Sequence, residues 1–121
     1  MSGPETGSQR RDATAAMTTA EFHILLALAG SVRHGLGIAQ AVDESTAGEV
    51  ALGPGTLYRS LKQMSDAGWI SHASAPAGED DPRRRFYEIT PDGRVRLQEA
   101  AKQFAQWVQV AKDRDVLPET A

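Results

Sequence analysis

The chain has 121 residues, of which 40% are hydrophobic and 6% aromatic, enough for one folded domain and too few for two independent cores. It contains no cysteine, which excludes disulfides, thiolate metal sites and cysteine nucleophiles and agrees with a reducing compartment. No apolar run approaches the roughly 20 residues of a membrane span, and the first residues lack the pattern of a signal peptide, so no membrane contact and a cytoplasmic location are expected. The formal charge of −3 argues against a protein that coats nucleic acid, because phosphate binding needs clustered Lys and Arg. Positive charge is nevertheless concentrated, with Arg83, Arg84, Arg85, Arg94 and Arg96 set against Glu88 and Asp92 in one short stretch.

Residues 1–17 are rich in Ser, Gly, Thr and charge without apolar periodicity, the texture of a disordered tail. At Thr18 the pattern changes. Thr18 and Glu21 have capping-box spacing, and the helix they open carries Phe22, Ile24, Leu25, Leu26 and Leu28 around nearly its whole circumference before Gly30. Such a helix is central to the core or shared with a partner chain. A shorter second helix is expected over residues 34–45, with Ile38, Ala41 and Val42 facing inward and Gly35 and Gly37 weakening its start.

A third helix begins near Pro54, which suits a first helical turn, and Gly68 is placed to end it. Leu57, Leu61 and Met64 form its apolar stripe. Gly55, Arg59 and Lys62 project from the opposite face, with Thr56 and Tyr58 at the edges of the stripe. Residues 69–75 and 84–90 read as two strands around a Pro- and Gly-containing loop, a hairpin with a long tip. Thr90 and Pro91 then open a last helix to about Lys112. Its residues Leu97, Ala100, Phe104, Trp107 and Ala111 are spaced as a heptad seam, and a seam requires a partner. Residues 113–121 form a second tail.

Three helices followed by a hairpin describe a fold that is α+β, mainly α: a winged helix-turn-helix over residues 18–90, with a two-stranded wing and a C-terminal dimerisation helix over residues 91–112. In that architecture the third helix enters the major groove of double-stranded DNA. Arg59 and Lys62 then reach base edges or phosphates, with Tyr58 beside them, while Arg83, Arg84 and Arg85 lie at the base of the wing. Gly55 and Thr56 let the helix N-terminus approach a phosphate. An exposed helix face is the commoner use of an Arg and a Lys, but placement in this fold favours the nucleic-acid role.

The homodimer contact is expected from Phe22 and Leu25 of the first helix and from Leu97, Ala100, Phe104, Trp107 and Ala111 of the last. Phe104 and Trp107 also suggest a site for a small aromatic effector, although packing between helices is the commoner role of such a pair. His23, His34 and His72 lack metal-ligand spacing, and no phosphate loop or nucleophile elbow is present, so no catalytic residue, metal or cofactor is assigned. The competing functional classes are a winged helix that docks a protein and a sensor of aromatic ligands.

Three motifs carry a family resemblance. His34-Gly35 with Ile38, Gly55-Thr56-Leu57-Tyr58 followed by Leu61, Met64, Gly68 and Ile70, and Arg85-Phe86-Tyr87-Glu88-Ile89-Thr90 with Gly93 and Leu97 together resemble the PadR-type regulators over roughly residues 18–112. The Gly-Thr-Leu-Tyr segment is the most specific. The resemblance implies a bacterial dimeric repressor of a palindromic operator, with its dimer contact built from the first and last helices. Leu36 departs from the aromatic that often follows His-Gly in the family. Arg59 stands where proline often follows the Tyr, which adds a cation to the reading face.

Overall fold

The computed structural model describes residues 17–119. The expected N-terminal tail lies outside the described residues except for Met17, which is half-buried against the core.

Helix α1 (Thr19–Gly30) starts at the capping box read from the sequence. Thr18 Oγ1 accepts from the Glu21 N–H at 3.0 Å and Glu21 Oε1 accepts from the Thr18 N–H at 3.0 Å, so two amides that the helix itself leaves unpaired are satisfied. Thr18→Ala is expected to cost about 1 kcal/mol, a fall of roughly 4–8 °C in melting temperature by calorimetry. An unchanged melting temperature would mean that tertiary packing alone sets the start of α1.

The chain continues through β1 (Arg33–His34), α2 (Gly35–Ser45), α3 (Pro54–Asp66), β2 (Ile70–Ala73), β3 (Phe86–Ile89) and α4 (Pro91–Asp113). Ile24, Leu25 and Leu28 of α1, Ile38 and Val42 of α2, and Leu57, Leu61 and Met64 of α3 form one buried cluster. Trp69, Ile70, Tyr87 and Leu97 close it. The all-round apolar character of α1 follows from this position, since the other three helices and β3 all touch it.

Two expected dimer residues are corrected here. Leu25 is 0% and Leu97 6% exposed within the single chain, so both fill the protomer's own core and have almost no surface to offer a second copy. Gly93 and Leu97 are buried, so the inward face of the first turns of α4 packs on the winged-helix core, while Val95 on the same turns is exposed. The C-terminal tail also begins with structure: beyond α4 the N–H of Val116 donates to the Ala111 carbonyl at 2.9 Å, and Asp115 takes a φ of 59° to make that turn.

The sheet has three antiparallel strands in the order β1-β3-β2, one more than the expected hairpin. Ile70 stands opposite Ile89 and Ala73 opposite Phe86, while on the other edge of β3 Arg33 pairs with Tyr87 and His34 with Phe86. The wing strands are shorter than expected. Asp81 Oδ1 captures the Arg83 N–H at 2.9 Å and the Arg84 N–H donates to the Asp81 carbonyl at 3.2 Å, a local turn that takes Arg83, Arg84 and Arg85 out of the ladder.

Candidate nucleic-acid interface

Helix α3 presents its polar face because its apolar one is committed. Leu57, Ser60, Leu61 and Met64 are buried, and at 100° per residue this turns Gly55, Tyr58, Arg59 and Lys62 to solvent. Thr56 is half-buried. Lys62 Nζ meets Asp66 Oδ2 at 3.2 Å on the next turn, with both side chains well exposed. Such a pair is worth little in water and readily gives way to a stronger anion.

Tyr58 is 55% exposed, yet its hydroxyl rests on the start of α2. A Cβ on Gly35 would stand 2.6 Å from that oxygen, so a side chain there would displace the tyrosine ring from its seat on α2. The contact ties the exposed face of α3 to the His-Gly pair.

The wing brings its cations to the same place, under local restraint from its own carboxylates. Arg83 donates to Asp81 Oδ1 through both its N–H and its Nε, at 2.9 and 3.2 Å. These bonds, the backbone one foremost, hold the Asp81 carboxyl below its ordinary value. Arg84 lies 3.7 Å from Glu79 Oε1, 4.0 Å from Asp81 Oδ2 and 3.0 Å from His34 Nε2, while Arg85 is exposed. At the base of the wing burial raises the Tyr87 phenol above its ordinary value, with Arg85 partly opposing the shift.

These parts enclose a groove of about 350 Å3. His34, Gly35 and Leu36 form one wall, Tyr58 of α3 another, and the three wing arginines with Tyr87 the third. A neighbouring groove of about 270 Å3 runs between α3 and the wing past Tyr58, Lys62, His72 and Arg85. Of the expected site residues the structure therefore unites Tyr58, Lys62, Arg83, Arg84 and Arg85. Gly55, Thr56 and Arg59 lie on α3 outside these two grooves. His34 was missed as a site residue. Its motif was visible, but nothing local shows that a two-residue strand pairs it with the wing.

The family model described as "Transcriptional regulator PadR-like family" matches residues 24–99. The chain belongs to the PadR family. Among solved structures, a PadR family transcription regulator from Clostridium difficile is 23% identical over 83% of this chain and 100% of that one, with a TM-score of 0.65. A transcriptional regulator from Clostridium thermocellum is 18% identical over 93% of this chain and 96% of its own, with a TM-score of 0.67. Bacillus subtilis PadR, solved in complex with operator DNA, is 21% identical over 68% of this chain and 46% of its own, with a TM-score of 0.58. These likenesses establish the winged-helix fold. No curated protein matches the chain. The protein is thus a PadR-family transcriptional regulator, a family of transcription factors and not of enzymes. Among the described residues, no helix is long and apolar enough to cross a membrane.

Proposed function

We propose that this PadR-family protein is a homodimeric repressor that binds a palindromic operator, with α3 in the major groove and the wing on flanking phosphates. The observation that carries the reading is the convergence of the exposed face of α3 and three wing arginines on the grooves around Tyr58. A two-fold dimer would set its two α3 helices into successive major grooves about 34 Å apart, and occupancy near a promoter would block polymerase.

Support for the dimer comes from apolar surface along α1 and α4. Phe22 packs edge-on against Phe104 at 4.8 Å, Phe104 lies 5.5 Å from Trp107, and Ala100 and Ala111 are half-buried on the same helix. Trp107 is 56% and Leu26 43% exposed in the single chain, with Val108 and Val110 also exposed. A second copy would cover this surface. Phe104 already spends part of its ring on Phe22, which favours seam packing over an aromatic effector at Phe104 and Trp107.

Gel shifts of genomic fragments, including the gene's own upstream region, at two salt concentrations test the reading. Arg59→Ala is expected to weaken operator binding by about 1–3 kcal/mol and relax selectivity at one position if the guanidinium reads a base. A footprint and affinity unchanged by that substitution would remove this face of α3 from the interface. Sedimentation that finds only monomer at micromolar concentration would remove the two-fold geometry.

A further inference from the structure

Two hydrogen-bond donors confront each other where the wing meets α2. Strand β1 holds the His34 ring edge-on to Phe86 at 5.4 Å, and the same residue caps α2, its Nδ1 accepting from the Gly37 N–H at 3.1 Å. Its other ring nitrogen, Nε2, stands 3.0 Å from Nη1 of Arg84. A neutral imidazole has one acceptor nitrogen and a guanidinium has none. With Nδ1 engaged by Gly37, Nε2 carries the proton, and that N–H faces an N–H of Arg84. The other tautomer accepts from Arg84 but turns Nδ1–H against the Gly37 amide, which strips α2 of its cap. An acceptor that enters the groove and reaches both donors removes the conflict.

The surroundings select an anion. Arg83 and Arg85 line the same groove, and the N-terminal amides of α2 add partial positive charge beside His34. The carboxylates nearest Arg84, Glu79 Oε1 at 3.7 Å and Asp81 Oδ2 at 4.0 Å, stand beyond good hydrogen-bond distance. The groove of about 350 Å3 has room for a phosphate group.

The geometry points to a phosphate clamp in which one oxygen of a DNA backbone phosphate is held jointly by His34 Nε2–H and the Arg84 guanidinium. It rests on the DNA-binding reading and adds to it a residue outside both α3 and the wing. In the clamp Arg84 supplies the charge and His34 a neutral, directional donor. Because β1 and the α2 cap fix the imidazole from two sides, the clamp locks the wing, α2 and one phosphate into a single register. That register sets the depth at which α3 meets the bases.

His34→Asn separates this role from folding, since Asn is among the best N-caps while its shorter amide cannot replace the Nε2 donor. With a melting temperature near that of the parent, the variant is expected to bind operator duplex roughly tenfold more weakly with an unchanged slope of log affinity against log salt. Arg84→Ala should lower both affinity and slope, the latter by about 0.9 for each phosphate released. In parallel, inorganic phosphate is titrated into the unliganded protein while the His34 Nε2 resonance is followed by 15N NMR, and a saturable shift lost in Arg84→Ala is expected. Parent-like duplex affinity in His34→Asn together with an unmoved His34 resonance overturns the clamp and leaves the DNA reading intact. A phosphate-dependent shift in a protein that binds no duplex keeps the anion site and overturns the DNA reading. A slope that falls in His34→Asn as far as in Arg84→Ala overturns the neutral-donor role.

Discussion

Replacing Gly93 by alanine is expected to destabilise the protein by about 3 kcal/mol, a drop of roughly 12–24 °C in melting temperature. Gly93 lies in the first turn of α4, where a Cβ would overlap the backbone carbonyl of Trp69 and press on Ile89 Cγ1 at 3.0 Å. Neither obstacle is the free end of a flexible chain. The Trp69 carbonyl is held by the Thr90 N–H at 3.0 Å, Thr90 Oγ1 donates to the Gly68 carbonyl at 2.7 Å and accepts from the Gly93 N–H at 3.0 Å, and the Trp69 N–H is tied to Met64 at 2.9 Å. Relief of the overlap would therefore shift the end of α3, the start of β2 and the start of α4 together. Helix propensity opposes this effect by only about 1 kcal/mol, so the steric term decides the sign. Gly55 is the matched control, with open space around its added Cβ, and Gly55→Ala should leave stability unchanged or raise it by up to about 1 kcal/mol. Chemical denaturation of both variants checks the pair. Equal effects would refute the steric account.

What the sequence disclosed well was local in origin. The capping box at Thr18, the first-turn prolines Pro54 and Pro91 and the stop at Gly68 each depend on a few neighbouring residues. They place α1, α3 and α4 within a residue or two of their observed ends. The features it concealed depend on partners distant along the chain. Strand β1 is two residues long and exists because Phe86 and Tyr87 offer it an edge, and no period can be read from two residues. Leu25 and Leu97 were assigned to a partner chain because a helix apolar all round and a heptad seam both suggest an intermolecular contact. In the structure α1 and the first turns of α4 satisfy that need against each other and the core. The wing arginines were placed on a strand by their flanking pattern, whereas the side chain of Asp81 competes for the backbone at that point and wins. His34 shows the same limit for the site, since its meeting with Arg84 spans 50 residues and passes through the unpredicted strand.

Removing Arg84 and Arg85 together is expected to weaken operator binding roughly 100- to 1,000-fold at physiological salt, while Arg83→Ala alone should have a far smaller effect. The distinction follows from what each guanidinium would have to surrender. Arg83 is gripped by Asp81 through two hydrogen bonds, and because those bonds depress the Asp81 carboxyl it remains ionised throughout the neutral range, so mild acid does not free the arginine. Its side chain is also 89% exposed. The carboxylates near Arg84 lie at 3.7 and 4.0 Å, beyond good hydrogen-bond distance, so its guanidinium has less to surrender to a phosphate than that of Arg83. Arg85 adjoins both grooves beside Tyr58, where a backbone flanking the α3 footprint would pass. In a dimer the double substitution deletes four cations, so the slope of log affinity against log salt should flatten by up to about 3.6. Fluorescence anisotropy of operator duplex across 50–200 mM salt, a window in which ordinary DNA binders lose several orders of magnitude, reads affinity and slope together. A slope unaltered by the double substitution would place the wing off the DNA. A loss confined to Arg83→Ala would mean that the wing opens on binding and its acidic turn lets go of the cation it now holds.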